Sequence, residues 1–132
     1  MHQTRQWNWL ACALAIVLAG GGLIAGQEPK APKVKEPTAA QKKIAVAISG
    51  GHSYQKHVVD EKQFPDIKSQ EEFGELIAKV IANATNHREL ENGREAYYDK
   101  NINVIVIYNP KARDKGTCFK PSAGIRYFQN LK

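Results

Sequence analysis

Hydrophobic residues recur along this chain with three different rhythms. Phe73, Leu76, Ile77, Val80 and Ile81 fall three and four apart, which lays one apolar stripe along a helix. Ser69 precedes the stripe and Glu72 follows three residues later, the spacing of a capping box with Ser69 as N-cap. Phe64-Pro65-Asp66-Ile67 reads as the turn leading in, and residues 83–86 as the helix end. Beyond it, residues 95–99, 103–108 and 116–120 are short runs rich in β-branched or aromatic side chains, set apart by turn residues. Lys100-Asn101 and the stretch from Asn109-Pro110 to Gly116 supply the reversals of an antiparallel meander, with 103–108 apolar enough to be central. Arg126-Tyr127-Phe128 closes the domain as a last strand or turn. Residues 44–48 are a short apolar run that fits either a strand or a helix continuing through Gly50-Gly51. Helices first and a small sheet afterwards predict an α+β domain, with an N-terminal helical region packed on an antiparallel sheet.

The third rhythm is an unbroken apolar stretch over residues 10–25, preceded by Arg5 with no acid and followed by Gly26. A basic start, an apolar middle and small residues at the end are the order of a secretory signal. The run is shorter than the roughly 18–20 residues of a spanning helix. A signal peptide over 1–26 is therefore expected, with an uncleaved membrane anchor as the alternative. Pro29, Pro32 and Pro37 among Lys, Ala and Glu then predict a disordered Pro/Lys-rich linker over 27–43 and a single domain over 44–132. Secretion or a periplasmic location follows, with no stable membrane association after cleavage. Loss of the leader removes Cys12 and leaves Cys118 without a disulfide partner, so the domain relies on its core. A monomer is expected. Arg5 is the one charged residue of the leader, so nearly all of the net charge of +6 falls on the remainder and favours anionic partners.

The chemistry concentrates in Gly51-His52-Ser53-Tyr54-Gln55-Lys56-His57-Val58, which holds two of only four histidines. Imidazole titrates near neutrality, so a close pair supplies both a general base and a general acid. In a helix His52 and Lys56 share one side, while His57 projects about 100° away from Lys56. RNA can be cut by its own 2′-hydroxyl if an enzyme provides such a base, such an acid and cations for the charged phosphorane. Arg94 just before a strand can clamp phosphate oxygens, and Thr117 at a strand start can donate a hydroxyl. Tyr97, Tyr98 and Phe119 can stack on bases. Each residue also has a plain structural reading: surface or capping histidines, an ion pair of Arg94 with Glu91 or Glu95, a turn-capping Thr117, and core aromatics. His87, past the helix end, reads as solvated. No metal or cofactor is expected, because there is no Cys pair, no His-Glu-x-x-His spacing and the acids are dispersed. Ser49-Gly50-Gly51-His52 lacks the Gly-x-Ser-x-Gly elbow of a serine hydrolase.

Four ordered blocks carry a resemblance. They are Gly51-His52-x-x-x-Lys56-His57-Val58, the helix entry Phe64-Pro65 to Glu72-Phe73, Asn92-Gly93-Arg94-x-Ala96-Tyr97-Tyr98-Asp99, and Asn109-Pro110 to Gly116-Thr117-x-Phe119-x-Pro121. Together they span nearly all of residues 51–131. In this the domain resembles the small ribonuclease toxin domains at the ends of bacterial polymorphic and contact-dependent inhibition toxins. The resemblance implies either the barnase/EndoU/colicin/RelE superfold or the pancreatic-ribonuclease-like toxin fold. It also implies metal-independent RNA cleavage through a 2′,3′-cyclic phosphate. By it His52 and His57 move protons, Lys56 and Arg94 hold the phosphate, and Thr117 and Tyr97 orient it; RNA and an acidic immunity protein are the implied partners. Such domains usually end very large proteins, whereas here one follows a leader. The alternative from a different class is a non-catalytic periplasmic or extracellular binding module whose histidines are structural, and a third option is an inhibitor or adaptor using its aromatic strand as an edge.

Overall fold

The computed structural model describes residues 33–132. The expected signal peptide, Cys12 and the first residues of the expected linker lie outside the described residues.

Helix α1 spans Ala39–Ser49 and so begins inside the stretch that composition assigns to a linker running to residue 43. Thr38 caps it: its hydroxyl accepts the Gln41 N–H at 3.3 Å, and the Gln41 side chain accepts the Thr38 N–H at 2.9 Å. The linker boundary is corrected for a physical reason. Ala, Gln and Lys are good helix formers with little apolar surface, so such a stretch reads as solvated until Ala45 and Ile48 find a face to bury. The same helix settles residues 44–48 as helical.

A short α2, His52–Tyr54, runs directly into a π-helical segment, Gln55–Asp60. The wider turn shows in the Glu61 N–H, which bonds the Lys56 carbonyl five residues back at 2.9 Å. Ser53 and His57 face inward and are buried, while His52 and Lys56 face outward. Helix α3, Gln70–Asn83, follows the predicted stripe: Phe73, Ile77, Val80 and Ile81 are buried and Leu76 packs beside them. The Ser69 hydroxyl accepts the Glu72 N–H at 3.1 Å. The Glu72 carboxylate reaches back one residue farther than a capping box requires, to the Lys68 N–H at 2.6 Å.

Four antiparallel strands then form a sheet in sequence order: β1 Asn86–Glu89, β2 Glu95–Asp99, β3 Val104–Tyr108 and β4 Gly116–Phe119. β1 (Asn-His-Arg-Glu) has no apolar alternation; its main-chain pairing with β2 makes it a strand, so sequence pattern misses it. α1 and α3 cover one face of the sheet through Val104, Val106 and Cys118. The other face carries Ala96, Tyr98 and Ile105 and is covered by Phe128 and Leu90. Phe128 sits on helix α4, Ile125–Gln129, which corrects the expected last strand or turn. Both faces of the sheet thus carry buried residues, the second because the C-terminal segment brings Phe128 onto part of it. Among the described residues no helix is long and apolar enough to cross a membrane.

Gly116 opens β4 at φ +137, and a Cβ there would stand 2.0 Å from the Ile107 carbonyl oxygen. On the far side of β4 there is no further strand among the described residues. Instead the Ser53 hydroxyl accepts the Cys118 N–H at 2.9 Å and donates to the Cys118 carbonyl at 3.2 Å. Ser53→Ala leaves that N–H buried without an acceptor, so a loss of about 1–3 kcal/mol is expected in urea unfolding, whereas Ser53→Thr retains the hydroxyl and part of the stability.

Candidate active site

The helical segment 52–60 and strand β4 wall one side of an open cavity of about 690 Å³. His52, Lys56, His57, Arg94, Thr117 and Phe119 all line it. The fold thus brings together side chains from both halves of the chain. Tyr97 and Tyr98 do not line it, which corrects their assignment as substrate contacts. Neighbouring strand residues point to opposite faces. Tyr98 is buried in the core under Phe128 and gives its hydroxyl to Asn103 at 2.9 Å. Tyr97 packs against the helix-side core and donates its hydroxyl to Glu95. Burial, aided by the Glu95 carboxylate, pushes the Tyr97 phenol well above its ordinary value.

Both imidazoles are held by carboxylates through Nδ1. His57 donates to Glu61 at 2.7 Å, and Glu61 also accepts from Gln63 Nε2 at 2.6 Å. The Gln63 amide oxygen in turn accepts the Lys120 N–H at 2.8 Å, tying this network to the end of β4. With Nδ1–H so engaged, Nε2 is the working atom of the ring. It lies 3.3 Å from the Thr117 hydroxyl, from which neutral imidazole accepts and to which imidazolium donates. His57 is only 5% exposed and stacks on Phe119 with centroids 5.3 Å apart. His52 is open to solvent, and its Nδ1 donates to Asp114 in the β3–β4 loop.

Gly51 allows that loop to come close: a Cβ on Gly51 would stand 2.5 Å from the Asp114 Cβ. Arg94 follows a reversal in which Asn92 takes φ 64. Its guanidinium donates through Nε to the Glu91 carbonyl at 3.2 Å and through Nη2 to the Lys132 main-chain oxygen at 2.6 Å. Nη1 makes no hydrogen bond among the described residues, which replaces the plain reading of an ion pair with Glu91 or Glu95. Lys56 is exposed at the rim.

Cys118 is fully buried, and burial pushes its thiol up, away from the reactive thiolate. His87 is part of β1, where it stacks on Tyr97 at 4.4 Å and meets Glu95 at 3.1 Å. Among the described residues no three His, Cys, Asp or Glu side chains converge to hold a metal ion. Glu61, Gln63, Asp114 and Tyr127 are site residues that sequence reasoning passed over. Only Glu61 carried a signal, four residues after His57 on a helical segment.

The hydrogen bond from His52 holds the Asp114 carboxyl below its usual value, with the charges of His52 and Arg113 adding to it. Since the folded value is the lower one, the pairing stabilises above about pH 4 and fades as pH falls through the depressed folded value. Carboxyl carbon NMR should place the Asp114 titration below about 3.9, with His52→Ala returning it toward that value. Gly51→Ala, which pushes the loop away, should return it in the same direction.

No family model matches the chain, and no curated protein matches it, so the reading of this cleft rests on its own geometry.

Proposed function

We propose that this cleft is the active site of a metal-independent endoribonuclease that cleaves RNA by attack of the 2′-hydroxyl on the adjacent phosphate. The carrying observation is convergence: two carboxylate-held imidazoles, an ammonium, a guanidinium and a hydroxyl line one cavity. His57 and Thr117 meet across 60 residues of sequence, and His52 and Asp114 across 62. Local structure alone does not bring such groups together.

In this mechanism His52 Nε2 takes the 2′-hydroxyl proton and the 2′-oxygen bonds to phosphorus. The bond from phosphorus to the 5′-oxygen breaks, and His57 Nε2 gives that oxygen its proton. The products are a 2′,3′-cyclic phosphate and a free 5′-hydroxyl. Lys56 and Arg94 offset the charge of the phosphorane, and the Thr117 hydroxyl donates to a phosphate oxygen. The histidines are five residues apart on one helical segment, His52 facing outward and His57 inward, and both line the cavity. The chain's excess of positive charge also suits an acidic immunity protein, whose association complementary charge would speed.

The competing reading, a binding module with structural histidines, draws on the burial of His57. Against it stands Nε2, which meets a hydroxyl on the cavity wall rather than a core carbonyl.

The purified protein should cut single-stranded RNA in EDTA and leave cyclic-phosphate ends. His52→Ala and His57→Ala should each lower kcat/KM by about 10²–10⁴-fold. RNA with a bridging 5′-sulfur, whose thiolate leaves without a proton, should restore cleavage by His57→Ala and not by His52→Ala. Full activity in both alanine variants would remove the mechanism.

A further inference from the structure

The cavity extends past the five groups that the proposed chemistry uses. Beyond Thr117 its wall is apolar and aromatic, formed by Phe119, buried Pro121 and Tyr127 from α4. Phe119 and Tyr127 meet edge to face, with centroids 5.3 Å apart and planes at 87°. One face of Phe119 is already covered by the His57 ring. Tyr127 is 37% exposed, high for an aromatic side chain in so small a fold, and it borders the cavity. Phe128, its neighbour on α4, is buried in the second core and anchors the helix, so Tyr127 is presented from a fixed support.

Strand register fixes how this corner relates to the phosphate groups. Thr117 pairs with Ile107 and Phe119 with Ile105, so the two side chains share one face of β4. Two residues of strand separate them by about 7 Å along the chain, within the reach of a single nucleoside from its phosphate. Ser122 and Lys120 stand at the margin of the same corner and supply polar groups beside the rings.

We infer that the corner of Tyr127, Phe119 and Pro121 is a nucleobase subsite, in which a base flanking the scissile phosphate stacks on the Tyr127 ring. This deepens the ribonuclease reading and rests on it. It gives the stacking role that Tyr97 and Tyr98 do not fill to a residue on α4. Stacking on a π-face tolerates any base, so the subsite favours nucleotides over bare sugar phosphates without demanding one sequence.

The test compares ligands that differ only by the base. Binding of a nucleoside 3′-monophosphate and of ribose 3-phosphate to the intact protein is measured by calorimetry, alongside cleavage of dinucleotides with an abasic residue on one side or the other. The base should improve binding by about 10- to 100-fold, and one of the two abasic positions should raise KM by a similar factor. Tyr127→Leu should abolish that discrimination, and Tyr127→Phe should retain it, which separates lost stacking from a disturbed fold. Equal binding of the two phosphates, or equal discrimination in Tyr127→Leu and the wild type, overturns the subsite. If the wild type cuts no RNA, the ribonuclease reading fails, while the calorimetric comparison still decides the corner.

Discussion

One side chain closes the open edge of the sheet, and the cleft is built around it. Ser53 is fully buried, and its hydroxyl both receives the Cys118 N–H and donates to the Cys118 carbonyl, as a neighbouring strand would. This stitch holds the helical segment against β4. One turn later the same inward face presents His57, beside Thr117 and Phe119 on either side of Cys118. An edge strand left open invites pairing with other chains, so the contact that assembles the cleft also protects the sheet. The widened turn at 55–60 belongs to the same arrangement: His57 and Val58 are both buried while Lys56 stays at the rim.

The second organising feature is that the cleft's imidazoles and guanidinium are held by oxygen acceptors. His52 is bound to Asp114, His57 to Glu61, and Arg94 to two main-chain oxygens. Fixed partners remove the rotamer freedom that a long or exposed side chain would otherwise lose on meeting a ligand. They also define which atom of each group remains: Nε2 of the rings and one guanidinium nitrogen. Preorganisation of this kind is what a site needs to stabilise charge that develops late in a reaction. The Glu61–Gln63–Lys120 chain shows how far the support extends, since it links the imidazole to the backbone beyond β4.

Much of this architecture was legible in the chain, and the gaps have physical causes. The stripe of α3 was readable because a buried face enforces a period of 3.6, and β2, β3 and β4 because turn residues bracket short apolar runs. α1 was half hidden because helix propensity without apolar surface looks like solvated linker. β1 was hidden because a polar edge strand owes its conformation to its partner. Among site residues, His52, Lys56 and His57 stood out through chemical type and closeness, and Thr117 through its place at a strand start. Asp114 and Tyr127 carried no signal, since one reaches the cleft by loop packing and the other by the docking of a five-residue helix. Tyr97 and Tyr98 show the limit of residue type: adjacent on one strand, Tyr97 turns to the helix-side core, and Tyr98, on the same sheet face as Phe119, is covered by Phe128.

What the amino-acid order determined by itself was local: periodicity, caps, turns, an excess of positive charge and the gathering of two imidazoles and an ammonium in one short segment. Those properties depend on neighbours within a few residues, where backbone geometry alone dictates who meets whom. Only the tertiary structure decided that Arg94, Asp114, Thr117, Phe119 and Tyr127 join that segment around one cavity. It did so because sheet register, the Ser53 stitch and the docking of Phe128 on the second sheet face set distances between segments that no local pattern encodes.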